Sequence, residues 1–86
     1  MEDAKMGTDG LYRTSDFYIA AWLLSNGLQL QGIDRSNKRR NDFIFIDRED
    51  RPQLVRTFMC GQATGNLPDF IFFIRKVKRL LHSYEV

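Results

Sequence analysis

The chain has 86 residues, enough for one domain. Hydrophobic residues make up 43% and charged residues 28%, which excludes a disordered chain, and the single cysteine, Cys60, excludes a disulfide scaffold. The net charge of +2 is uneven: residues 1–34 carry two cations against five acids, residues 35–56 seven against four, and residues 57–86 four against two.

Residues 1–10 are polar and contain two glycines, so they read as a flexible N-terminal segment ahead of a single domain over 11–86. They lack the apolar stretch of a secretory signal. Leu11-Tyr12-Arg13 has the makings of a short strand. Thr14-Ser15-Asp16 starts a helix, because their side-chain oxygens accept from the free N–H groups of a first turn. Phe17, Ala20, Ala21 and Leu24 then fall on one helical face, with Tyr18 and Trp22 flanking it. Asn26-Gly27 ends the helix, since both residues tolerate a left-handed backbone.

Leu28-Gln29-Leu30-Gln31 alternates with the period of a half-buried strand, and Gly32 marks a bulge before Ile33. Phe43-Ile44-Phe45-Ile46 is a second strand, apolar on both faces. The polar segment Asp34 to Asn41 joins the two as an antiparallel hairpin with a charged tip. Pro52 favours the first turn of a short helix carrying Leu54, Val55, Phe58 and Met59, which Gly61 closes. Gln62 to Asn66 form a loop. Pro68-Asp69 opens the last helix, where Phe70, Ile74, Val77, Leu81 and Tyr84 make the strongest apolar stripe, widened by Phe73 and Leu80. That helix is expected to be the core helix.

The element order is (β)αββαα. It predicts an α+β domain: a small antiparallel sheet of two strands, or three if residues 11–13 join, packed against three helices.

Tyr12-Arg13-Thr14-Ser15-Asp16 with Ala20-Ala21, Leu24 and Gly27, the apolar strand Phe43 to Ile46, Leu54-Val55 with Phe58 and Gly61, and Ile74-Arg75-Lys76-Val77-Lys78-Arg79-Leu80-Leu81 together resemble a family of small prokaryotic and phage domains of unknown function. The resemblance covers roughly residues 12–82. It implies a compact α+β domain from a bacterial or mobile-element context, with no catalytic residue and no ligand to carry over. The loop Ala63-Thr64-Gly65-Asn66 departs from it in being more polar.

Two basic constellations stand out. The hairpin tip places Arg35, Lys38, Arg39 and Arg40 in six positions, which suits either contact with phosphates or a soluble turn that discourages edge pairing. On the last helix, Arg75, Lys78, Arg79 and His82 lie opposite the apolar stripe. Phe72 precedes Arg75, Lys76 and Arg79 at i+3, i+4 and i+7, so an aromatic able to stack on a base sits beside cations able to hold phosphates. The plainer reading is a solvated face whose cations suit the end of the helix dipole.

Little in the sequence points to an enzyme. His82 has no serine or cysteine nucleophile set up beside it. Cys60 is expected to be a small buried hydrophobe. Asp47, Glu49 and Asp50 lack the spacing of a calcium loop and are better explained as a helix-entry cap with adjacent arginine partners. No phosphate-binding glycine signature is present, and one histidine with one cysteine falls short of the ~4 ligands of a structural zinc site. No cofactor, metal or membrane partner is therefore expected, and a volume this small leaves little room for a deep cleft. The expected function is a cytoplasmic, non-enzymatic module that binds nucleic acid through its backbone with weak specificity. A protein-interaction or homodimerising accessory factor is the alternative, with Tyr18, Trp22, Phe72 and Tyr84 as candidate contacts.

Overall fold

The structure, a computed structural model, describes residues 10–37 and 39–83. The segment expected to be flexible therefore lies outside it except for Gly10, as do Lys38 and Tyr84. The described elements are β1 (Leu11–Thr14), α1 (Phe17–Ser25), β2 (Leu30–Asp34), β3 (Asp42–Ile46), α2 (Arg51–Met59) and α3 (Leu67–Ser83). The fold is α+β, as the sequence predicts.

Leu11-Tyr12-Arg13-Thr14 does join the sheet, giving three antiparallel strands in the order β1-β3-β2. The β2–β3 register slips between Leu30 and Gly32, so Gln31 is the extra residue of a bulge. Without that slip the apolar side chains of Leu30 and Ile33, an odd number of positions apart, would point to opposite faces. With it, both lie opposite buried phenylalanines, Leu30 across from Phe45 and Ile33 across from Phe43. Tyr12 and Thr14 join them from β1.

The helices cover this face. The molecule measures 36 × 34 × 20 Å, and the thin dimension is that of one sheet and one helical layer. Helix α1 starts where expected: the Asp16 carboxylate accepts from the Tyr18 and Ile19 N–H groups at 2.8 and 3.0 Å. It stops at Asn26 because Gly27 turns left-handed, with φ +89°. Val77 of the α3 stripe is buried, but the core helix is α1, which buries Ile19, Ala20, Ala21 and Leu23. The physical reason is its position: α1 packs against α2, α3 and β1 together, and its alanines allow close approach. On α3, Phe70, Phe73, Ile74 and Leu81 border the core and are only half-buried.

The segment between β3 and α2 holds the most demanding interaction. Arg51, the first residue of α2, and Asp47 both have fully buried side chains. The guanidinium donates through Nε to Asp47 Oδ1 at 3.0 Å and through its NH2 group to Oδ2 at 3.1 Å. Its other face lies 4.0 Å from the centre of the Tyr12 ring. Next to it, Arg48 caps α1 by donating to the Asn26 carbonyl at 2.9 Å, and it binds Asp50 with both Nε and NH2. Asp47 and Asp50 thus have the arginine partners expected of them, but the expected helix cap is not made: Asp50 stands at the N-cap with no side-chain hydrogen bond to the first turn.

Arg51→Ala strands the Asp47 carboxylate in the core and is expected to cost about 3–5 kcal/mol, read from urea unfolding midpoints. The double variant Arg51→Met/Asp47→Leu should cost less than either single change, because no unpaired charge remains. For Asp50, the hydrogen bond from Arg48 holds the carboxyl below its ordinary value. A carboxylate lowered on folding adds stability that is present above its ordinary value and is lost as pH falls through the lowered one. Carbon-detected NMR titration should find the Asp50 carboxyl back in the ordinary range in Arg48→Ala.

Candidate nucleic-acid interface

The two basic surfaces fare differently. At the hairpin, Arg35 is half-buried and turns inward. Its guanidinium donates to the Leu81 carbonyl near the end of α3, and to Asn41 Oδ1 at 3.5 Å. The sequence has Arg35 as a tip cation; its position at the hairpin base makes it a tether instead, binding β2 to a helix end whose carbonyls carry partial negative charge. Arg40 is exposed but paired with Asp42 at 3.2 Å. Arg39 is exposed, and its backbone N–H donates to Asn37 Oδ1 at 2.9 Å, which shapes the turn. Lys38 lies outside the described residues.

Helix α3 presents its basic face as the spacing predicts. Asn66 caps it, with Oδ1 accepting from the Asp69 N–H at 3.2 Å, a role that reading 62–66 as plain loop overlooks. From there Arg75, Lys76, Lys78 and Arg79 are all exposed, and Asp69 is the only acid in the helix. Arg79 and His82 each also engage another group within the fold. Phe72 is 56% exposed and stands edge-on to Phe73, with ring centres 5.2 Å apart at 87°. Since Phe73 packs on the core, Phe72 is an outward aromatic with a fixed footing. Leu67 and Ile71 extend the exposed apolar surface towards the N-terminal end. Arg35 brings the base of the hairpin to the C-terminal end of this helix.

A feature not anticipated from sequence is a half-open cleft of about 320 Å³. It lies between the end of α1, the end of α2, loop 62–66 and the first turn of α3. Trp22, Phe58 and Phe70 form its aromatic floor, with ring centres 6.0 Å apart for the first pair and 6.2 Å for the second. The Trp22 indole is held by its Nε1–H, which donates to the Leu54 carbonyl at 2.9 Å. The sequence signal for the cleft is the polar, glycine-containing loop 63–66 between Phe58 and Phe70, but nothing local says that Trp22 and three helix ends meet there.

Cys60 is exposed rather than buried, because it falls at the C-terminal end of α2 where the helix leaves the core. Among the described residues, no three of His, Cys, Asp and Glu gather as a metal site, and no helix is long and apolar enough to cross a membrane.

These observations define a class: a small two-layer α+β domain with a basic outer helix and an aromatic cleft at the opposite end of that helix. A family profile described as a domain of unknown function, DUF5659, matches residues 9–83, and the chain belongs to that family. Comparisons with curated proteins and with solved structures found no match.

The tether makes a prediction. Arg35→Met removes the donor to Leu81, so backbone amides near the end of α3 should lose hydrogen-exchange protection while those of β3 keep theirs. A charge-assisted hydrogen bond of this kind contributes about 1.5–3 kcal/mol.

Proposed function

We propose that this domain is a non-enzymatic nucleic-acid-binding module of the cytoplasm, and that the outward face of α3 is its contact surface. The observation that carries this is Phe72, exposed beside Arg75 and Lys76 on a helix whose second half has cations and no acid. The cations attract phosphates regardless of sequence, and the ring offers a surface on which a base stacks. Arg39 and Arg40 of the hairpin add charge at long range, whereas Arg35 serves the fold. Binding by these groups is led by the backbone and only weakly specific, since cations on phosphates and a ring on a base face carry little sequence information.

The second reading is a protein-interaction or homodimerising accessory protein of phage or mobile-element origin. Leu67 at 67% and Ile71 at 40% exposure, next to Phe72, are the observation that favours it. A mass that rises with concentration in size-exclusion chromatography would support it.

Fluorescence anisotropy with single- and double-stranded DNA and RNA tests the first reading. If about four to six phosphates are neutralised, affinity should fall roughly 10²- to 10³-fold between about 50 and 200 mM salt. Arg75→Glu/Lys76→Glu/Lys78→Glu should abolish binding with the circular dichroism spectrum unchanged. Phe72→Ala should weaken single-strand binding about tenfold and leave the salt slope alone. Full affinity in the triple variant would overturn the assignment to α3.

A further inference from the structure

The cleft at the N-terminal end of α3 has features that a phosphate surface does not need. Its floor is apolar and aromatic, and its rim is mostly neutral and rich in acceptors. The amide nitrogen of Asn26 and the hydroxyl of Ser25 both donate to the Trp22 carbonyl, at 2.9 and 2.7 Å. The Ser25 hydroxyl also accepts from the Asn26 amide at 3.4 Å, so it keeps one lone pair, and Asn26 Oδ1 keeps both of its own. Asp69, the only charged residue lining the cleft among the described residues, is an acceptor too. Asn66 has its Oδ1 occupied by the Asp69 N–H, which leaves its amide as a donor.

A phosphate does not fit this set, because Asp69 repels it and no cation among the described residues lines the space. A flat heterocycle with amino groups does. It can lie on the rings of Trp22, Phe58 and Phe70 while its amino hydrogens meet the acceptors of the rim. The volume is at the low end of small-ligand pockets, about 300–1,000 Å³.

The cleft is also continuous with the basic helix. Leu67 lines it, and Leu67, Ile71, Arg75 and Lys78 follow one another at i, i+4, i+8 and i+11, all exposed. From Leu67 to Arg75 the helix rises about 12 Å. A strand with one base in the cleft can therefore run its phosphates along this stripe.

We infer that the cleft is a pocket for one unpaired nucleobase of a single-stranded nucleic acid, with preference for the amino-bearing bases adenine, cytosine and guanine over thymine or uracil. The inference rests on the nucleic-acid reading of α3 and adds the strand form and the base class.

Trp22, the only tryptophan, is the reporter. Its emission would be followed while oligo-dA, oligo-dC, oligo-dT and an abasic strand of equal length are added, with anisotropy recorded in parallel. The expected result is quenching of Trp22 by oligo-dA and oligo-dC, less by oligo-dT, and none by the abasic strand. The abasic strand should still bind by charge, about tenfold or more weakly. Asp69→Asn should reduce the preference for oligo-dC over oligo-dT by roughly tenfold, since the amide no longer only accepts.

If every strand binds equally and Trp22 emission does not move, the pocket inference is wrong and the α3 reading stands. If free adenosine or cytidine quenches Trp22 while no strand binds, a base pocket exists and the α3 reading is wrong. If nothing binds, both are wrong.

Discussion

The buried pair Arg51–Asp47, with the Tyr12 ring against the guanidinium, is the constraint on which this small fold turns. Two charges removed from water are costly unless geometry and hydrogen bonding compensate. Here the bidentate contact compensates, and the Tyr12 ring adds a third segment to it. Asp47 leaves β3, Arg51 begins α2, and Tyr12 comes from the neighbouring strand β1. The pair therefore ties the sheet edge, the central strand and a helix start into one arrangement. Arg48 extends the junction to the end of α1 through the Asn26 carbonyl. A domain of this size has a stability of only about 4–13 kcal/mol, so one misplaced charge at this junction matters to the whole.

Helix α1 is the element that the rest of the helical layer shares. It buries small alanines where neighbours come close, and its C-terminal end supplies Trp22, Ser25 and Asn26 to the cleft. The same residues thus belong to the packing and to a candidate site. Trp22 shows how this works: its N–H is bound to Leu54 of α2 while part of its ring stays open to the cleft. Helix ends are good places for such a site, since their backbone and capping groups are left with hydrogen-bonding capacity.

The positive charge is divided between structure and surface. Arg35, Arg48 and Arg51 make their hydrogen bonds inside the fold, to a helix carbonyl, a cap and a buried carboxylate. Arg40 has its own acid in Asp42. Arg13, Arg39 and Arg56 are exposed one by one elsewhere, whereas on α3 the exposed Arg75, Lys76 and Lys78 follow an exposed aromatic. That sorting is the reason the helix, and less so the hairpin, carries the functional reading.

Much was legible in the sequence because it depends on neighbours along the chain. Asp16 and Gly27 bound α1, Gly32 marks the bulge in β2, Pro52 begins α2, and the 3–4 spacing of α3 separates an apolar face from a basic one. Each of these is a local preference of backbone or side chain, readable within a few residues. Charge counting, in contrast, treats Arg35 and Arg40 as equals of Arg75, and counts Arg51 as one more cation of residues 35–56. Only the tertiary structure sorted them, because burial and partner choice are set by what distant segments bring together: Leu81 for Arg35, and Tyr12 for Arg51, with Asp47 four residues before it. The cleft was hidden for the same reason. Its aromatics lie in three separate helices, and no local pattern can say that three helix ends converge on one space.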